Sequence, residues 1–229
     1  LPTPLAGRSL ELLAILPEIA GATLILNELA ETRASLLSSL FPAVPVSRFD
    51  AAQIDDHLHP AVVPSVVLMN PPFSAMANVS GRMADTAFRH VASALARLAD
   101  GGRLVAITGA NFAPDQAGWR DAFVRLQEQS RLVFSAAIAG SVYAKHGTTF
   151  ATRLIVIDKT PAEDPSQFPA SSGTAPDVAT LLDWIETEVP PRLPVTHPKL
   201  LESVLAAVPK SVRGTLTRAA MARSATAPV

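Results

Sequence analysis

The sequence predicts an α/β domain built on a largely parallel β-sheet. Short apolar runs alternate with helical patterns up to about residue 160, and this alternation is typical of strands connected by helices. Only a short connection joins the last two apolar runs, which predicts an antiparallel pair of strands at one edge of the sheet. The chain has 229 residues, 48% of them hydrophobic, so it is long and apolar enough to form a packed core.

The first half of this domain contains three predicted strands and one clear helix. Residues 22–27 (ATLILN) form a short apolar run of the kind found in buried strands. Residues 28–40 have helical spacing, and Pro42 ends that helix. Residues 44–49 predict a weak strand, and residues 53–58 a helical turn. Residues 65–69 (SVVLM) predict a strong strand that two prolines terminate.

The second half predicts two helices and three strands. Residues 83–98 form an amphipathic helix with an apolar stripe, and the glycines that follow it supply left-handed backbone at its end. A second helix is predicted over residues 119–128. The predicted strands are 103–108, 132–138 and 152–158.

The composition changes after Thr160, which predicts a boundary. Residues 1–160 form the predicted domain, and residues 161–177, rich in Pro, Ser, Ala and acidic side chains, have the composition of a linker. A small helical tail is predicted over residues 178–229, with helices at 178–188 and 200–208 and a third at 211–223. This tail is locally basic.

Composition also excludes several functions. The chain has no cysteine, which excludes disulfides and thiolate chemistry, and its net charge of −1 indicates no global basic field. We expect no metal site, because the acidic and histidine residues of 55–59 (DDHLH) are typical of a solvated turn. No apolar run is long enough for a membrane span and no secretory signal is evident, so a cytoplasmic location is expected.

The strongest functional signal is Asn70-Pro71-Pro72-Phe73, placed directly after the strand 65–69. Two prolines fix a rigid turn and hold the Asn70 amide and the Phe73 ring in one relation. Ligands of open α/β sheets bind at the carboxyl ends of strands. The Asn70 amide oxygen and the Pro71 carbonyl can accept hydrogen bonds from an amino group, while an aromatic ring stacks on a planar base.

The segment VVLMNPPFSA resembles the (Asn/Asp)-Pro-Pro-(Tyr/Phe) signature of class I S-adenosylmethionine-dependent methyltransferases that modify amino groups. This resemblance implies a Rossmann-like sheet, S-adenosylmethionine as cofactor, and Asn70, Pro71, Pro72 and Phe73 as the residues that hold the target. It further implies methylation of adenine N6, with DNA as the substrate. The run from Leu26 to Asp158 is also similar to the methylase domain of bacterial strawberry-notch-like methylase–helicase fusions, which implies a helicase region as partner in the parent chain.

The same resemblance assigns other cofactor contacts. Glu28 follows the predicted strand 22–27, where the family places an acid on the ribose hydroxyls; an acid at a helix N-terminus is the structural alternative. Asp50, with the Ala51 backbone beside it, follows strand 44–49, where the family has an acid near the adenine; an N-cap is the alternative. Asn70 would also border the cofactor. The polar stretch 143–149 resembles the loop that helps to close the target pocket.

One part of the sequence departs from the family pattern. The family requires a first strand that leads into a glycine-rich turn, because side chains there would collide with the cofactor. Residues 5–9 (LAGRS) contain one glycine, Gly7, and only four residues precede them. The first strand is therefore expected to be missing or truncated, so that either the chain is a fragment or its cofactor site is degenerate.

Two rival functions stay open at this level. Asn-Pro-Pro-Phe also occurs in enzymes that methylate the side-chain amide of protein glutamine, so the motif does not identify the acceptor. A catalytically inactive binding module of a larger helicase-type protein would explain the poor glycine turn. A nucleotide-binding Rossmann dehydrogenase is disfavoured because no G-x-G-x-x-G occurs.

Overall fold

A computed structural model describes residues 23–71 and 86–195. These residues form seven strands, five α-helices and two 3₁₀ helices. The strands are β1 (Leu26–Asn27), β2 (Val46–Ser47), β3 (Val66–Met69), β4 (Arg103–Gly109), β5 (Arg131–Ile138), β6 (Thr152–Asp158) and β7 (Thr174–Ala175). The α-helices are α1 (Glu31–Leu40), α2 (Ile54–His57), α3 (Thr86–Arg97), α4 (Arg120–Gln127) and α5 (Val178–Glu188), and the 3₁₀ helices are Ala51–Gln53 and Gly140–His146.

The strands form one sheet of five and one of two. The larger sheet has the order β3-β4-β6-β5-β7, in which β6 is antiparallel to both of its neighbours and the other pairings are parallel. The smaller sheet is a parallel pair of β1 and β2. The mixed α/β class and the antiparallel pairing of the last two long strands are confirmed. The predicted truncation of the first strand concerns residues 1–9, which lie outside the described residues, so it stays a prediction.

The five-stranded sheet has an apolar core on each face. On one face α3 and α4 cover a cluster that includes Val91, Leu104 and Phe123, all fully buried. The other face carries Phe134, Leu154 and Val156 among its buried residues. Leu132 and Phe134 lie two residues apart in β5 yet belong to opposite cores, because a register shift between them interrupts the two-residue alternation of the strand.

A buried ion pair joins the first residue of β4 to the last residue of β6. Arg103 of β4 and Asp158 of β6 are register partners, with Nε–Oδ1 at 2.7 Å and Nη2–Oδ2 at 2.9 Å. The remaining terminal nitrogen of Arg103 donates to the Pro190 carbonyl at 2.9 Å. Nearby Gly101 has φ of 77°, which agrees with the predicted left-handed end of α3.

Residues 161–177 lie against the domain, although their composition predicts a linker. The Gln127 amide donates to the carbonyls of Pro165 (2.9 Å) and Gln167 (2.7 Å), and Phe168 meets Phe123 edge to face. Strand β7 then pairs with β5, because an open strand edge offers unpaired hydrogen-bonding groups to an extended segment. This stretch therefore makes ordered contacts with the rest of the described chain, whatever its composition.

Helix α5 confirms the first predicted helix of the tail and covers the second core. Its side chains Leu181, Trp184 and Ile185 pack against that cluster. The Asp177 carboxylate caps the helix by accepting from the Thr180 N–H at 2.8 Å. The predicted helices 200–208 and 211–223 lie outside the described residues, and the division into domains stays a prediction. No helix within 23–71 or 86–195 has the length and hydropathy of a membrane span.

Candidate active site

The Asn70 side chain stands free where β3 ends. Asn70 is exposed and its amide makes no hydrogen bond with any residue in the described ranges, whereas Pro71 beside it is buried. The proline ring fixes its own φ and restricts the backbone of the residue before it, so Asn70 holds a constrained position at the end of β3. Strands β3 and β4 are parallel, so this corner lies at the carboxyl edge of that pair, where open α/β sheets bind ligands.

Glu28 follows β1 as predicted, but its carboxylate is already bound. It accepts hydrogen bonds from the Ala30 N–H (2.8 Å) and from Arg33 Nε (2.9 Å) and Nη2 (2.8 Å). Burial raises the pKa of Glu28, but Arg33 and the Ala30 N–H outweigh burial and lower that pKa below its ordinary value. A ribose hydroxyl would have to share or displace the Arg33 contact.

We predict that Arg33→Gln raises the pKa of Glu28 toward the ordinary value of about 4.3. The Arg33 guanidinium stabilises the charged form of the Glu28 carboxylate. Without it, less remains to oppose the rise in pKa that burial causes. Because the folded pKa is the lower one, this carboxylate stabilises the fold above about pH 4.3 and loses that contribution as pH falls through the folded pKa. An NMR titration of the Glu28 carboxyl carbon measures the shift, with Arg48→Gln as control; an unchanged midpoint in Arg33→Gln contradicts the assignment.

Asp50 lies in the turn after β2 and has the N-cap role that was the alternative to cofactor binding. Its Oδ1 accepts from the Ala52 N–H at 3.0 Å, and the same oxygen lies 3.9 Å from Nε2 of His90 on α3. The second carboxylate oxygen makes no hydrogen bond with a described residue. Ala51 begins the 3₁₀ helix, and its N–H is one of the orphan donors of that helix start. Capping and ligand binding by Asp50 are therefore compatible.

Asn27 is a positioning residue that the sequence interpretation missed. Its Nδ2 donates to the Phe49 carbonyl at 3.0 Å, and its Oδ1 accepts from the Phe49 N–H at 2.9 Å. The Ser47 hydroxyl donates to the same Oδ1 at 2.9 Å. These bonds tie the turn after β2 to the end of β1 and so place Asp50 and Ala51. A polar amide ending an apolar strand was the available signal.

Three of the predicted site residues lie outside the described ranges: Gly7, Pro72 and Phe73. Of the predicted pocket loop 143–149, Tyr143 is buried, and its hydroxyl lies 2.9 Å from the Thr152 hydroxyl, so this side chain serves the core rather than a pocket. In the part of the chain that the structure describes, no group of three or more His, Asp and Glu side chains could hold a metal ion.

Comparison with known proteins yields matches at the level of structure. No family model and no curated protein matches the sequence. Among solved structures, a "putative class I S-adenosylmethionine-dependent methyltransferase" from Listeria monocytogenes is similar, with a TM-score of 0.55 and 11% identity over 81% of this chain and 62% of that protein. At this identity the similarity establishes the fold alone. The chain has the Rossmann-like class I methyltransferase fold.

Two restriction-modification proteins are more distant in structure. The modification subunit of a "putative type I restriction enzyme" from Vibrio vulnificus YJ016 has a TM-score of 0.49 and 15% identity, over 73% of this chain and 41% of that protein. The EcoKI M protein of a type I restriction enzyme has a TM-score of 0.48 and 15% identity, over 63% of this chain and 32% of that protein. With TM-scores under 0.5, neither carries a functional argument. The chain spans 32 to 62% of the length of these three proteins.

Proposed function

We propose that this chain is an S-adenosylmethionine-dependent methyltransferase that acts on an amino group, the N6 amino group of adenine in DNA. The observation that supports the proposal is the exposed Asn70 amide, which makes no hydrogen bond with a described residue and lies between β3 and the buried Pro71 at the carboxyl edge of the sheet. An amide satisfied within the protein would be a strand terminator and nothing more. The fold shared with the Listeria protein, which is described as a class I S-adenosylmethionine-dependent methyltransferase, adds support.

In this proposal Asn70 and Pro71 orient the nitrogen that is methylated. The Asn70 Oδ1 and the Pro71 carbonyl accept the two amino hydrogens, which draws the nitrogen toward tetrahedral geometry and frees its lone pair for in-line attack. Phe73 stacks on the target base. When bound, S-adenosylmethionine supplies an electrophilic methyl group. As the N–C bond forms, the bond between the methyl group and the sulfonium sulfur would break and S-adenosylhomocysteine would leave. The amino proton then passes to water, so no strong base is required, and positioning supplies most of the rate. A base within a duplex would be flipped out first.

The residues around Asp50 fit the adenine part of such a cofactor. An unused carboxylate oxygen of Asp50 and the orphan N–H of Ala51 provide an acceptor and a donor side by side, the pair an adenine edge requires. Glu28 would accept hydrogen bonds from the ribose hydroxyls and would give up one of its two hydrogen bonds from Arg33. Gly7 is proposed, from the sequence motif alone, as the residue whose backbone would lie close to the methionine part of the cofactor.

We predict that Asn27→Ala weakens S-adenosylmethionine binding about tenfold, the equivalent of about 1.4 kcal/mol. The variant removes the bonds that hold the Asp50–Ala51 turn, so the cofactor would have to order that turn on binding. Calorimetry with S-adenosylmethionine and S-adenosylhomocysteine measures the effect, with Ser39→Ala on the exposed face of α1 as control. The wild-type chain is expected to bind both; absence of binding at millimolar cofactor contradicts the proposed function.

The alternative methyl acceptor is the side-chain amide of glutamine in a protein. The side-chain amide of protein glutamine presents a planar NH2 group with two N–H donors, as adenine N6 does, so assays with DNA and with protein substrates are run in parallel. Methyl label in protein alone would replace adenine by glutamine and leave the chemistry unchanged. The helicase partner is proposed from the resemblance to methylase–helicase fusions, and the sequence of the parent gene product tests it.

A further inference from the structure

A polar cleft on the α4 side of the five-stranded sheet is not used by the proposed methyl transfer. It has a volume of about 280 Å³ and lies between the turn after β4, the start of α4 and the segment that precedes β7. The side chains that line it include two arginines, Arg120 and Arg153, together with Asp115, Ser135, Gln167 and Ser171.

Arg153 differs from Arg103, the other buried arginine of the sheet, in having no carboxylate partner among the described residues. Both side chains are buried, with 7% exposure each. Arg103 forms a bidentate pair with Asp158, whereas Arg153 donates from Nε to the Ala110 carbonyl (2.9 Å) and from Nη1 to the Ser135 hydroxyl (2.8 Å). Within the described residues its Nη2 makes no hydrogen bond and no ion pair includes it. This Nη2 is not among the buried unpartnered polar atoms of the described residues, so Arg153 offers the cleft a guanidinium nitrogen that a bound anion could use.

Arg120 supplies a second guanidinium to the lining of the cleft. This exposed residue begins α4 and lies 5.6 Å from the centroid of the Phe168 ring. Its Nη2 lies 3.4 Å from the Ser166 carbonyl, which is a long contact and leaves most of its donors available. The aromatic contact holds the guanidinium beside the cleft without neutralising it.

Asp115 is the acidic side chain among the lining residues. It is exposed, and no ion pair of the described residues includes it. Burial lowers the pKa of Arg153, and the charge of Asp115 opposes that effect from a distance. Because Asp115 lines the same cleft, its negative charge would oppose the binding of an anion there.

We propose that this cleft binds a phosphate group, held between the guanidinium groups of Arg153 and Arg120 with the Ser135 and Ser171 hydroxyls beside it. Guanidinium groups match the geometry of phosphate oxygens and form charge-assisted hydrogen bonds with them. The phosphate can belong to a free sugar phosphate or nucleotide or to a nucleic-acid backbone, since the recognising chemistry is the same. Binding is measured without S-adenosylmethionine, so this proposal can fail or succeed independently of methyl transfer.

The test compares Arg120→Gln with Arg125→Gln in the full 229-residue chain. Arg125 lies on the same helix, is exposed and does not line the cleft, so the two variants lose equal charge. Ribose 5-phosphate is the first probe, with ribose as its uncharged counterpart, and a short fluorescein-labelled single-stranded DNA is the second. We expect Arg120→Gln to weaken ribose 5-phosphate binding about tenfold, Arg125→Gln less than twofold, and Asp115→Asn to strengthen it about threefold.

The two probes distinguish the source of the phosphate. A parallel loss for DNA in Arg120→Gln identifies a backbone phosphate, and a loss confined to ribose 5-phosphate identifies a free ligand; both outcomes support the site. Equal losses in Arg120→Gln and Arg125→Gln, or equal binding of ribose and ribose 5-phosphate, overturn it. Arg153→Lys keeps the charge but loses the planar fork, and is expected to weaken binding if circular dichroism shows an intact fold.

Discussion

Asn70→Ala is expected to lower the rate of methyl transfer about 100-fold and to leave the stability of the fold within about 0.5 kcal/mol of the wild type. The rate falls because the amide oxygen that accepts an amino hydrogen in the reacting geometry is lost, and misplacement of a reacting atom has costs of this size. Stability is unchanged because the side chain makes no hydrogen bond with a described residue. Transfer of tritium from labelled S-adenosylmethionine to DNA measures the rate, and urea denaturation measures the stability.

A matched asparagine separates this effect from a general loss of polarity at the sheet edge. Asn111 is exposed and follows β4, as Asn70 follows β3. Asn111→Ala is expected to keep the rate of methyl transfer within about twofold of the wild type. A twofold change corresponds to far less than the roughly 1.4 kcal/mol of a tenfold change. If both variants lose activity alike, the amide of Asn70 has no special role in the reaction.

Asp158→Ala is expected to destabilise the domain by about 3–5 kcal/mol. Asp158 is 1% exposed, and its carboxylate accepts hydrogen bonds from Nε and Nη2 of Arg103 between β4 and β6. Its removal therefore leaves a buried cation unpaired. Urea denaturation measures the loss, with the exposed Asp183 on α5 replaced by alanine as control. A loss below about 1 kcal/mol would mean that water reaches Arg103 and that the pair is only a surface interaction.

The double variant Arg103→Met/Asp158→Leu tests whether the penalty comes from the orphaned charge. When both charges are replaced by apolar side chains of similar volume, no buried cation is left, and buried pairs replaced in this way often lose little stability. We expect the double variant to be more stable than Asp158→Ala by at least about 2 kcal/mol. A double variant as unstable as the single one would indicate that packing at this position, rather than charge, sets the cost.

The regular part of the fold could be predicted because its periodicities are strong. The apolar runs at 103–108 and 152–158 correspond to β4 and β6 within one residue, and the stripe of 83–98 corresponds to α3 in the part that is described. Helix α1 begins at Glu31 rather than at residue 28, because Glu28 bonds through its N–H to the Ser47 carbonyl in the smaller sheet. A tertiary contact thus overrides a local helical pattern.

Most of the features that were not predicted depend on contacts between distant parts of the chain, and one depends on a local pairing of side chains. The composition of 161–177 gives no sign that Gln127 fixes its backbone or that β7 joins the edge of β5. The role of Asn27 depends on Phe49, 22 residues later. Glu28 was placed correctly after its strand, but its bond with Arg33 could not be read from the pattern because helix spacing alone does not reveal which acid a given arginine approaches.

The most direct test of the central proposal is mass spectrometry of nucleosides from unmethylated DNA incubated with the full chain and S-adenosylmethionine. The account predicts N6-methyladenine in the wild-type reaction and its near absence in the Asn70→Ala reaction. DNA without N6-methyladenine, from a chain that calorimetry shows to bind S-adenosylmethionine, would contradict adenine as the acceptor. Equal amounts from wild type and Asn70→Ala would contradict the role of the diproline corner itself.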